Sequence, residues 1–130
     1  MFTPALSQLL GLEVIQRYDD FVAERLTDLR ASADVVIDWL ERDFEEWSFL
    51  PPRGGYSVWA TLPGDVSADA FVQAAGLQGV LAASGRNFCP NDADCSNLRI
   101  PFTAPPEVLD EAMGRLSQTW QSFRALTVPS

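Results

Sequence analysis

The sequence predicts an α+β domain of two layers, a small sheet with helices against one face. Three observations predict it: an apolar stripe at helical spacing early in the chain, short segments alternating with period two in its middle, and a second helical stripe near its end. Its 130 residues suit one domain with a core that needs no disulfide or metal staple. Apolar residues at 47% against 21% charged are a globular balance.

The first stripe passes through Ile15, Tyr18, Val22, Leu26, Leu29, Ala33, Val36, Leu40, Phe44 and Trp47 in steps of three and four. It predicts one helix from Ile15 to Trp47, roughly 50 Å long at the helical rise per residue. Neither proline nor glycine interrupts Leu12 to Leu50, and Pro51-Pro52 are expected to stop it. Such a helix is longer than a small domain can cover, so its N-terminal half is expected to pack on another domain, a second subunit, or both. Leu6, Leu9, Leu10 and Leu12 would enlarge that apolar patch, and self-association as a dimer through the long helix is expected.

After Gly54-Gly55, Tyr56 to Leu62 alternates and is rich in strand formers, closing at Pro63-Gly64. Tyr56, Val58, Ala60 and Leu62 should share one face. Ser67 is the expected N-cap of a short helix ending near Ala75, with Gly76 placed for a left-handed C-terminal residue. Gly79 to Ala83 reads as a short strand, Ser84 to Ser96 as a loop, and Leu98 to Phe102 as the third strand. Pro105-Pro106 then open a last helix whose inward stripe is Leu109, Ala112, Met113, Leu116, Trp120 and Phe123. The expected order is helix, strand, helix, strand, strand, helix. With Leu98, Ile100 and Phe102 facing the helices, Arg99 must point to the other side of the sheet, where it needs an anion or water.

Composition excludes whole reaction classes. The formal charge is −9, all nine basic residues are arginines, and neither lysine nor histidine occurs. Without histidine there is no imidazole-activated serine or cysteine nucleophile and no imidazole metal ligand. Without lysine there is no internal Schiff base. No stripe of positive charge could neutralise successive phosphates, so nucleic acid is not an expected partner of this segment. No apolar run approaches the roughly 20 residues of a membrane span. The stretch Met1 to Leu12 lacks the basic start and cleavage pattern of a signal peptide, so a cytoplasmic setting is the default.

Cys89 and Cys95 fit free thiols, a disulfide or half a metal site, with free thiols taken first because no histidine completes a zinc shell. Asp92, Asp94 and Ser96 begin like a calcium loop, but Asn97 stands at the glycine position and Thr103 at the closing glutamate, so no metal is expected. Asp19-Asp20 and Glu45-Glu46 read as a solvated helix face. Trp39, Trp47, Trp59 and Trp120 read as core residues before an aromatic binding box.

The string from Pro52 through Gly54-Gly55, Val58-Trp59 and Leu62-Pro63, followed by Gly85-Arg86-Asn87-Phe88 and Asn97-Leu98-Arg99, resembles the C-terminal small domain of class I/II aminotransferases of fold type I. The likeness covers about Leu12 to Phe123 and includes the aminotransferase-like bodies of MocR regulators, a GntR-type branch that adds an N-terminal DNA-binding domain. The resemblance implies that residues 12–130 form the small domain with its linking helix, and that 1–11 are a remnant of, or contact to, a large domain. It implies that Arg99 binds the α-carboxylate of an amino or keto acid, with Asn97, Gly54, Gly55 and Phe88 in support. It also implies pyridoxal phosphate in the parent protein, held by large-domain residues that this segment lacks. No cofactor is expected on this chain and no catalytic residue is assigned to it. A free-standing ligand- or protein-binding module derived from the same domain is the alternative.

Overall fold

The computed structural model describes residues 4–64, 66–88 and 96–127. Helices α1 (Ala5–Gln16) and α2 (Tyr18–Asp43) lead into strands β1 (Ser48–Phe49) and β2 (Ser57–Thr61). Helix α3 (Ala68–Leu77), strand β3 (Ala83–Ser84), a 3-10 turn (Gly85–Phe88), strand β4 (Asn97–Pro101) and helix α4 (Pro106–Thr127) follow. Among the described residues four strands form one sheet in the order β1-β2-β4-β3, antiparallel throughout. The expected α+β two-layer domain is what the chain adopts.

Alternation explains the layers. Val58 and Ala60 of β2 and Leu98 and Ile100 of β4 are buried beneath the helices, while Ser57, Trp59, Thr61, Asn97 and Arg99 stand on the opposite face. Val36 and Leu40 of α2, Phe71 and Ala75 of α3, and Met113, Leu116 and Trp120 of α4 complete the core. Its centre is aromatic. Phe71 meets the rings of Trp47, Trp120 and Phe123 edge-on, at centroid distances of 5.4, 5.4 and 5.7 Å, the arrangement in which ring quadrupoles attract.

The single helix expected from Ile15 to Trp47 is corrected at both ends. Arg17, at φ −113° and ψ 24°, separates α1 from α2 although its N–H still donates to the Glu13 carbonyl at 3.2 Å. Helix α1 buries no side chain, so no packing holds it collinear with α2. At the other end the helix stops at Asp43, ahead of the two prolines. Phe44 leaves helical geometry at φ −127° and ψ 48°, and the Trp47 N–H closes a turn on the Phe44 carbonyl at 2.8 Å. Both rings enter the core, and Glu45-Glu46 become an exposed turn instead of a helix face. The chain then contributes β1, an edge strand hidden in sequence behind the apolar periodicity of the helix.

Helix α3 begins as expected, with Ser67 accepting from the Ala70 N–H at 3.4 Å. Its end is corrected. Gly76 is helical, and Gly79, at φ +79°, is the left-handed residue. The Gly79 N–H donates to the Gly76 carbonyl and the Val80 N–H to the Ala75 carbonyl, both at 3.0 Å, which is a Schellman cap. Residues 79–80 therefore terminate a helix, and the strand expected from Gly79 to Ala83 shrinks to Ala83–Ser84. Smaller departures are a one-residue shift of β4 and the exposure of Tyr56, expected on the buried face with Val58.

Candidate functional site

The outer face of the sheet carries the candidate site. Trp59 and Arg99 are direct partners across β2 and β4, with Ser57 opposite Pro101 and Thr61 opposite Asn97. The Arg99 side chain leans along its strand, and its Nε donates to Ser57 Oγ at 3.0 Å. Phe88, at the end of the 3-10 turn, lies with its ring centroid 5.4 Å from the guanidinium carbon and meets Trp59 edge-on at 5.3 Å. Trp59 and Phe88 are 43% and 51% exposed, so two aromatic rings face solvent beside a cation. Among the described residues, the two Nη groups of Arg99 carry no ion pair or hydrogen bond.

Next to this group runs an open groove of about 700 Å³, lined by Phe49, Pro52, Gly54, Gly55, Tyr56 and Trp59 among others. Gly55 holds φ +90°, a left-handed conformation that any side chain would strain, and a Cβ built on Gly54 or Gly55 would meet nothing within 4 Å. Gly55 thus serves the turn into β2 by backbone conformation. Ser57 belongs to the groove wall as well as to Arg99, so the guanidinium sits at the groove's border.

Of the residues expected in the site, the structure brings Arg99 and Phe88 together and places Gly54 and Gly55 in the adjoining groove. Asn97 is engaged elsewhere. Its Oδ1 accepts from Thr61 Oγ1 at 2.7 Å, and its backbone abuts Gly85. Ser57, which was not singled out from sequence, and Trp59, which was read as a core residue, complete the surroundings of Arg99. Period-two alternation does place both on the outer face of β2, and pairing β2 with β4 in register would have found them. Of the four tryptophans read as core, Trp47 and Trp120 are buried and Trp39 is half-buried, with its Nε1 donating to Asp110 at 2.7 Å. Trp59 departs from that reading because its strand position faces outward.

The loop carrying Phe88 is anchored behind the site. Arg86 Nη1 donates to Asp69 Oδ2 at 3.1 Å, joining the turn to the first turn of α3. Hydrogen bonds from Ser84 and from Arg86 hold the Asp69 carboxyl below the ordinary carboxylate range. Cys89, Cys95 and the calcium-like Asp92 to Asp94 stretch lie outside the described residues, within which no three His, Cys, Asp or Glu side chains converge as a metal site. No described helix is long and apolar enough to cross a membrane. Pyridoxal phosphate does not fit the donor set as a covalent guest: its aldimine needs a primary amine side chain, and the chain has no lysine. The residues here do not supply its covalent site.

Compared with known proteins, this domain has the fold of a segment of pyridoxal-phosphate-dependent aminotransferases. An α-aminoadipate aminotransferase from Thermus thermophilus, solved with N-(5'-phosphopyridoxyl)-L-leucine, superposes with a TM-score of 0.83 at 23% identity, covering 91% of this chain and 31% of that one. An archaeal alanine:glyoxylate aminotransferase gives a TM-score of 0.81 at 22% identity, over 92% of this chain and 31% of that chain. In sequence, the 2-aminoadipate transaminase of Thermus thermophilus is 28% identical over 129 residues, 97% of this chain and 32% of the relative. The chain therefore spans about a third of the length of the curated relative it matches. No protein-family model matches it.

Proposed function

We propose that this chain serves as the C-terminal small domain of a pyridoxal-phosphate-dependent aminotransferase body, where Arg99 binds the α-carboxylate of an amino acid or keto acid. One observation carries the reading. On the outer face of the sheet a guanidinium is fixed through Nε and presents its two Nη groups without a partner among the described residues. A guanidinium fork matches a carboxylate in geometry and charge at every physiological pH. The likeness to an aminotransferase solved with a phosphopyridoxyl-leucine adduct supports the ligand class.

The division of labour follows from composition. Pyridoxal phosphate supplies the electron sink for amino-group transfer when it is bound, and its lysine has to come from other residues because none is present here. This chain's part is to orient the carboxylate and to wall the site with Trp59 and Phe88. In a MocR-type regulator, which the resemblance also covers, the same arginine would hold an effector carboxylate. Helices α1 and α2 leave Leu9, Ile15, Tyr18 and Phe21 exposed, and we assign this face to the remaining aminotransferase body or to a second subunit. The setting in this reading is cytoplasmic.

The test is an NMR titration of the chain with L-leucine and its 2-oxo acid, with the decarboxylated amine as control. Arg99→Ala should weaken carboxylate binding roughly 10- to 100-fold, the range for a charge-assisted hydrogen-bonded pair. Equal responses in wild type and variant, or none in the wild type, overturn the assignment.

A further inference from the structure

We infer that Ser57 is the positioning residue that aims Arg99, an inference that rests on Arg99 being the carboxylate anchor. The residue directly opposite Arg99 is Trp59, so Ser57 is its diagonal neighbour on the same face. Diagonal neighbours lie about 7–8 Å apart, within reach of a long side chain that commits to one direction. The 3.0 Å bond from Nε to Ser57 Oγ fixes that direction.

Chemistry gives the contact its meaning. A guanidinium has five N–H donors in one plane and can grip a carboxylate along an edge that includes Nε or along the edge formed by Nη1 and Nη2. With Nε engaged by Ser57, the edge containing Nε is closed and the terminal edge remains. The Phe88 ring restrains the cation from another side, and Trp59 in turn holds Phe88. The side chain is therefore pointed before any carboxylate arrives, which removes part of the ordering cost of binding. Alanine at 57 would leave the charge in place and unlock its aim, so binding should weaken without vanishing.

Two variants of equal shape isolate the hydroxyl: Ser57→Thr keeps it and Ser57→Val removes it, and both side chains suit a strand. The first readout is the Arg99 Nε–H resonance of the 15N-labelled chain and its exchange with water, with no ligand present. Exchange should quicken several-fold in Ser57→Val and stay near wild type in Ser57→Thr. The second is leucine binding, expected to weaken about 3- to 10-fold in Ser57→Val and to be retained in Ser57→Thr. Identical Nε–H behaviour in the two variants overturns the inference, as does equal binding by both while Arg99→Ala loses it. If Arg99→Ala binds like wild type but the Nε–H difference persists, the Ser57 contact stands and the carboxylate reading of Arg99 fails.

Discussion

Replacing Gly85 by alanine should destabilise the chain, whereas the same change at Gly76 should stabilise it. A Cβ built on Gly85 stands 2.8 Å from the Asn97 Cβ and 2.9 Å from the Asn97 carbonyl oxygen. Carbon contacts are comfortable at about 3.5–4.0 Å, so the turn and β4 must part by roughly 0.7 Å or more. The atoms in the way are a side-chain root and a backbone carbonyl in a paired strand, which cannot swing aside as the tip of a flexible side chain would. Forcing a methyl group into such a contact costs about 1–3 kcal/mol. Alanine also narrows the unfolded ensemble, a gain of about 0.4–1 kcal/mol. At the middle of both ranges the clash wins, leaving a net loss of about 1.3 kcal/mol. At Gly76 a Cβ meets nothing within 4 Å and the residue is helical, so only the gain operates, about 0.5–1 kcal/mol. Urea titration followed by tryptophan fluorescence, with m values of about 1–3 kcal/mol/M, should separate the two midpoints on opposite sides of wild type. A Gly85→Ala variant as stable as wild type at unchanged m would refute the close approach of turn to strand.

Phe71→Ala removes the ring at the centre of the aromatic cluster, where the residue is fully buried, and should lower stability by about 3–5 kcal/mol in the same assay. A loss under about 1 kcal/mol would mean that the cluster repacks. Asp69 is held below its ordinary value of 3.8 by Ser84 and Arg86, so its contribution is present above the unfolded value and disappears as pH falls through the lower folded one. Stability of Asp69→Asn should accordingly depend less steeply on pH than wild type below about pH 4; parallel curves would count against the tie. In sedimentation velocity the chain should self-associate with rising concentration, and Leu9→Glu with Ile15→Glu should reduce this; a wild-type monomer at every concentration would remove the second-subunit role of α1 and α2 and leave the aminotransferase body as their partner.

The two-layer fold was legible because alternation and helical spacing are properties of the residues themselves. Val58, Ala60, Leu98 and Ile100 announce one buried face, and Arg99 follows onto the other. The end of α2 was not legible, because Phe44 and Trp47 continue a helical stripe perfectly well. Trp47 packs against Phe71 and Trp120, far along the chain, and Phe44 packs against Trp47; spacing records nothing of these contacts. The Schellman cap was half legible. Gly76 was expected in the left-handed position, but Gly79, expected to open a strand, holds it, and Val80 follows into the core. Around Arg99 the same limit applies. Alternation assigns its face, while the partner Ser57 depends on which strand lies alongside and in what register.

Strand β4 lies between β2 and β3, so the backbone on both sides of Arg99 is tied into the sheet. Amides in such a place are expected to exchange with solvent more slowly than those of α1, which buries no side chain. The cation consequently rides on a strand tied in from both sides while its reach is set by a single hydroxyl on the neighbouring strand. Evolution or engineering could retune that reach through the hydroxyl alone, leaving the chassis underneath untouched.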